Sequence, residues 1–106
     1  MLTREQLHAP HLVDAEVASG VRRLTAAGRV RPRSARRVLH TWTRVGVTRY
    51  PMYGQLARVW ELRDNVSAYD ALYVALAERL GCPLVTADRR LSQAPGLRCA
   101  LTLVPG

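Results

Sequence analysis

Ser67-Ala-Tyr-Asp-Ala-Leu-Tyr-Val-Ala-Leu-Ala-Glu-Arg-Leu-Gly-Cys-Pro-Leu-Val-Thr-Ala-Asp88 is the stretch whose reading settles the fold class. It spells a helix, a stop and a strand. Ser67 suits an N-cap, Gly81 ends the helix after Leu80, and Pro83 to Ala87 is a short apolar strand ending at Asp88. Between Ala68 and Ala77 the only charged residue is Asp70, and a helix apolar on nearly every side is expected to be buried. A carboxylate there is costly unless it is paired, hydrogen-bonded or bound to a cation. Two roles fit Asp70. Ser67-Ala-Tyr-Asp70 spells a capping box, in which Asp70 bonds back to the backbone of Ser67. A carboxylate at a helix start can also lean into a cleft, and the two roles are compatible.

Outward from that stretch the alternation continues. Downstream, Arg89 to Gln93 reads as a helical turn. Leu97 to Val104 reads as a last strand with Leu97, Cys99, Leu101 and Leu103 on one face. Upstream, Met52 to Asp64 reads as a helix with Met52, Leu56, Val59 and Trp60 as its apolar stripe. Before it Val45 to Tyr50 is a short strand closed by Pro51. Pro32 to Arg44 reads as a helix with Ala35, Val38, Leu39 and Trp42 inward. Pro10 to about Ala27 reads as another, with Val13, Val17, Val21 and Leu24 in line and Gly28 as its stop. Strands separated by helices predict an α/β fold, a mostly parallel sheet with helices on both faces. In such sheets ligands bind beyond the carboxyl ends of the strands. Asp88 falls at such an end, and Thr86, two residues back on the same face, is placed to orient a water or a ligand.

At 106 residues the chain fits a single domain with one core, and its mean hydropathy of −0.09 is that of an ordinary globular protein. The longest unbroken apolar run, Ala71 to Ala77, is far short of the ~20 residues a membrane span requires, and no apolar segment of a signal peptide follows Arg4 and Glu5. The expectation is a soluble cytoplasmic protein. Cys82 and Cys99 lie apart without Cys or His neighbours and read as small hydrophobes. His8, His11 and His40 are too scattered to form a metal set.

Charge says more about partners. All sixteen basic residues are arginine, against eight acids, for a net charge of +8. No acid stands between Glu16 and Glu61, a stretch whose arginines run from Arg22 and Arg23 through Arg36 and Arg37 to Arg49. Arginine-rich coding bias explains arginine in place of lysine but not the missing acids. A zone of this kind attracts a polyanion, nucleic acid or an acidic protein. No helix-turn-helix signature accompanies it, which argues against a DNA-binding module.

Glu16 lies on the shoulder of the first helix's apolar stripe, and Asp14 reads as an N-cap or surface charge. Asp64 with Asn65 reads as the turn between two helices. Three acids beside apolar elements, Glu16, Asp70 and Asp88, could converge on one cleft. Clustered carboxylates repel one another unless a hard cation such as Mg²⁺ joins them. A carboxylate-held Mg²⁺ activates water and stabilises charge at a phosphate. With a basic zone to hold RNA, that combination describes a metal nuclease.

Arg63-Asp-Asn-Val-Ser-Ala-Tyr-Asp-Ala-Leu-Tyr-Val-Ala-Leu-Ala-Glu78 followed by Pro83-Leu-Val-Thr-Ala-Asp-Arg-Arg-Leu91 closely resembles PIN-domain ribonuclease toxins of the VapC type. Ala9-Pro-His-Leu-Val-Asp-Ala-Glu-Val17 resembles the segment carrying that family's second acid. The resemblance implies a PIN-like α/β/α sandwich and Mg²⁺-dependent cleavage of RNA, with Mn²⁺ as the alternative ion. It further implies a VapB-type antitoxin as inhibitor, a homodimer and a toxin–antitoxin setting. By motif position Glu16, Asp70 and Asp88 match the family's acidic, metal-binding site residues and Thr86 its site threonine. The family usually opens with a strand of the type Val-Val-Asp-Ser/Ala-Ala whose aspartate is a main metal ligand. Nothing before Leu7 reads as such a strand, and Met1 to Leu7 looks like the tail of a helix. The expectation is therefore one PIN domain over 1–106, N-terminally truncated. The alternative is a catalytically inactive remnant that only binds antitoxin or RNA.

Overall fold

Strand β1, Leu7–Pro10, lies parallel to β2, Val47–Tyr50, with Leu7 opposite Val47 and Pro10 opposite Tyr50. Parallel neighbours need a long crossover. Two helices supply it, α1 over Leu12–Ala26 and α2 over Pro32–Trp42. Proline has no N–H to give the ladder, and it ends this strand; the next amide, His11, donates to the Tyr50 carbonyl at 3.1 Å. The computed structural model describes residues 6–105 and divides the chain into two compact units, Met1–Tyr50 and Pro51–Gly106. The helix tail expected over Met1 to Leu7 lies outside the described residues as far as residue 5. At Leu7 the expectation is overturned, because Leu7 already belongs to a strand.

In the first unit α2 has the more sharply divided surface. Ala35 is buried and Leu39 and Trp42 are half-buried on one side, while Arg33, Arg36, Arg37 and His40 are exposed. Val38, expected inward, is half exposed. Helix α1 buries no residue fully, and Leu24 at its far end is exposed. Gly28, at φ +73°, turns the chain out of α1 in the left-handed conformation that a Cβ disfavours.

The second unit opens with a 3-10 turn at Tyr53–Gln55 and then α3, Leu56–Glu61, where one continuous helix from Met52 to Asp64 was expected. A 3-10 turn has three residues per turn, so it shifts the phase of everything after it. Leu56 and Trp60 consequently face outward, Trp60 at 66% exposure, and Leu62 takes the core position at 1%. The Arg63 guanidinium covers the Trp60 ring at 4.6 Å from its centroid. Helix α4, Ala68–Leu80, runs from its Ser67 cap to Gly81 at φ +67°. Ala71 and Val74 from α4, with Leu62 and Leu91, form the core, and Val59, Leu84, Leu97 and Cys99 pack against it. Burial raises the Cys99 thiol above its ordinary pKa, in keeping with a small hydrophobe.

Strand β3, Leu84–Thr86, pairs in parallel with β4, Leu101–Leu103, and α5, Arg89–Ser92, lies between them in sequence. Leu97 and Cys99 thus reach the core from the segment before the strand, not from it. The parallel pairing expected of an α/β fold is present. Among the described residues it takes the form of two two-stranded ladders, β1–β2 and β3–β4.

Candidate active site

Asp70 stands in the first turn of α4, where the Ser67 hydroxyl accepts its amide at 3.1 Å. Half of the expected capping box is therefore formed. The return bond is not: the Asp70 carboxylate has no hydrogen bond or ion pair with a described residue. Nor is it buried. Asp70 is half-buried, because the buried face of α4 is carried by Ala71, Val74, Ala75, Leu76 and Ala77, and position 70 lies at the margin of that face.

Thr86 and Asp88 share the carboxyl end of β3, as the alternation predicted. Asp88 donates its amide to Thr86 Oγ1 at 3.0 Å. Its own Oδ1 accepts the amides of Arg90 at 2.9 Å and Leu91 at 3.3 Å, capping α5. One carboxylate oxygen thus fixes the turn, and the other is left to the exposed side. The threonine oxygen is engaged as an acceptor once, which leaves it a second lone pair and its O–H proton.

Glu16 is exposed on α1, in the first unit, and makes an interaction there or elsewhere in the chain. The matched acids are thus divided, Glu16 in Met1–Tyr50 and Asp70 and Asp88 in Pro51–Gly106. Within neither unit do three His, Cys, Asp or Glu side chains of the described residues gather into a group that could hold a metal ion.

Two further acids, Asp14 and Glu78, turn out to be structural. Asp14 is not an N-cap; His11 occupies that place, without a side-chain cap. The Asp14 carboxylate instead accepts Arg49 Nε at 2.6 Å, Arg49 Nη2 at 2.8 Å and Trp42 Nε1 at 2.8 Å, joining α1 to α2 and β2. These bonds, Arg49 first, hold its carboxyl down at about 2. In the second unit Glu78 accepts Arg58 through both oxygens, at 2.7 and 2.9 Å, and the Arg98 amide at 2.8 Å. The Arg58 bond lowers the Glu78 pKa and raises that of Arg58. Neither role had a local signal, since the partners lie 35 and 20 residues away.

The donor set in the second unit consists of oxygen alone: the Asp70 carboxylate, the free oxygen of Asp88 and the Thr86 hydroxyl. Hard divalent cations prefer such oxygens, so these residues fit a hard divalent ion in chemistry.

Comparison with known proteins bears on what this set belongs to. Residues 1–97 match the PIN domain family. Ribonuclease VapC9 of Mycobacterium tuberculosis (strain ATCC 25618 / H37Rv) is 55% identical over 105 residues, which span 99% of this chain and 83% of that protein. This chain belongs to the PIN domain family. Within that family it is of the VapC type. Ribonuclease VapC1 of the same strain is 46% identical over 98 residues, 92% of this PIN domain and 74% of the relative. Ribonuclease VapC12 of strain CDC 1551 / Oshkosh is 34% identical over 103 residues, 97% and 80%. The two parallel ladders with their helices agree with a PIN-like α/β fold. Among the described residues no helix of this PIN domain is long and apolar enough to cross a membrane.

Proposed function

We propose that this chain is a divalent-metal-dependent endoribonuclease, the toxin of a VapBC-type toxin–antitoxin pair, acting as one PIN domain over 1–106. The observation that carries this reading is the state of its half-buried carboxylates. Among the described residues these are Asp14, Asp70 and Glu78; Asp14 and Glu78 are ion-paired, and Asp70 is left without a partner. A carboxylate held partly out of water with nothing to pair it is suited to a cation.

Asp70 and the outer oxygen of Asp88 would hold Mg²⁺, with Mn²⁺ as the alternative, and Glu16 is proposed as a site acid on its motif match alone. When bound, the ion supplies a more acidic water and neutralises charge at the phosphate. Thr86, its oxygen engaged by the Asp88 amide, can turn its O–H proton toward a water or a phosphate oxygen. Asp88 keeps β3 and α5 in fixed relation through its cap while presenting its second oxygen. Arg89 and Arg90, exposed beside it, can steady the RNA backbone. A VapB-type antitoxin, a homodimeric assembly and a cytoplasmic location belong to the same proposal and rest on the VapC-type kinship.

The test is cleavage of end-labelled RNA by the purified chain with Mg²⁺ or Mn²⁺. The wild type cuts, and Asp70→Asn lowers the rate by about 10²-fold or more, as the loss of a metal-positioning charge would. Undiminished cutting by Asp70→Asn sinks the site assignment. A second reading, an inactive remnant that only binds RNA or antitoxin, is favoured by the absence of a three-acid group within either unit among the described residues. Salt-sensitive RNA binding by the wild type with no cutting under either ion decides for it.

A further inference from the structure

Helix α2 carries its cations in a single row. With 100° per residue, Arg33, Arg36, Arg37 and His40 fall within about 100° of one another around the axis. Ala35, Leu39 and Trp42 lie on the opposite side, and they are the residues that are buried or half-buried. The row is exposed, and the guanidinium groups of its three arginines make no hydrogen bond or ion pair with a described residue. No acid is near in sequence to quench it: residues 6–50 hold nine arginines and two acids, and one of those acids, Asp14, is taken by Arg49.

We infer that this face of α2 is a binding surface for the phosphate backbone of an RNA stem. The inference rests on the ribonuclease reading for the identity of the polyanion. The row places a cation about every helical turn, roughly 5.4 Å, along a rigid rod. That is a match for a regular, repeating line of phosphates, and an arginine fork grips a phosphate through two parallel bonds. Proteins that hold unpaired strands add aromatic side chains on which bases stack. The exposed face of α2 has no Phe, Tyr or Trp. Trp42, the indole of this helix, points to the packed side and donates to Asp14. The exposed aromatics among the described residues, Tyr53, Trp60 and Tyr69, all belong to the other unit. A face that offers guanidinium without stacking reads backbone, not bases, and shape, not sequence.

The experiment measures binding of the full chain, carrying Asp70→Asn so that the probe stays intact, to a fluorescein-labelled RNA hairpin by anisotropy across a salt series. A U-rich unpaired RNA of the same length and an acidic poly-glutamate peptide serve as the other probes. Arg33→Gln/Arg36→Gln/Arg37→Gln lowers hairpin affinity at least 10-fold at 150 mM salt, and the slope of log K against log salt falls by roughly 2–3. Arg33→Lys/Arg36→Lys/Arg37→Lys, which keeps the charge, retains most of that slope. An unchanged slope in the glutamine variant overturns the inference. An equal loss on the unpaired RNA overturns the stem, and a loss confined to poly-glutamate assigns the face to an acidic protein instead. Binding does not depend on cutting, so an inert wild type would sink the nuclease reading without touching this result.

Discussion

Asp14 and Asp70 are both aspartates near the start of a helix, and they differ in what faces them. Asp14 meets a guanidinium and an indole N–H; Asp70 meets only its own cap through its amide. The consequence for Asp14 is a pH dependence with a defined sign. Its folded-state carboxyl titrates at about 2, below the ordinary 3.8, so its stabilising bonds are complete above pH 4 and disappear as pH falls toward 2. Asp14→Asn is expected to melt at lower temperature than wild type at pH 6 and to lose less between pH 4 and 2. Thermal melts over that range check it, and parallel curves for the two proteins would show that the pair is idle. At this scale the legible residues were those in motifs. Thr86 and Asp88 sit at the strand end where alternation put them, and Asp88 caps the helical turn that begins at Arg89. The Asp14–Arg49 pair was illegible, because a salt bridge between residues far apart in sequence leaves no trace in either neighbourhood.

Helices were read well where caps and stripes agreed. Ser67 and Gly81 bracket α4 as their chemistry demands, the first accepting an amide and the second taking φ +67°. Ser67→Ala is expected to cost about 1 kcal/mol through the lost cap. Gly81→Ala is expected to cost about 1–2 kcal/mol, because a Cβ is forced into the left-handed region while open space around it offers no clash to blame. Denaturant titration measures both, and a neutral Gly81→Ala would mean that the chain can leave the helix another way. Elements failed where periodicity was too short to hold. Strand β1 is four residues with a histidine and a proline among them, so neither alternation nor β-propensity marks it. The outward turn of Leu56 and Trp60 has a different cause. A 3-10 turn shifts helical phase without changing composition, so a stripe counted straight through it lands on the wrong side.

For the whole molecule the decisive quantity is the uneven charge. The +8 sits almost entirely in the half of the chain that precedes Pro51, where arginines outnumber acids nine to two over residues 6–50. Self-repulsion of that density destabilises a compact state and is relieved by screening. The melting temperature is therefore expected to rise by a few degrees between 20 and 300 mM NaCl, and further in sulfate, which the arginine forks bind directly. A fall instead would mean that screened attraction at Asp14–Arg49 and Arg58–Glu78 outweighs screened repulsion. The α/β class was legible at this scale because helices and strands alternate along the chain. The division into two ladders was not, since pairing between strands is decided by contacts that a linear reading does not contain.

Each unit also holds one indole, and the two live in different surroundings. Trp42 is half withdrawn from water with its N–H engaged, while Trp60 is already wet beneath a guanidinium. Emission should therefore redden on denaturation chiefly through Trp42, so fluorescence follows the first unit whereas far-ultraviolet dichroism follows helices in both. Coincident midpoints from the two signals would make the chain one cooperative body, and separated midpoints would give each half its own transition.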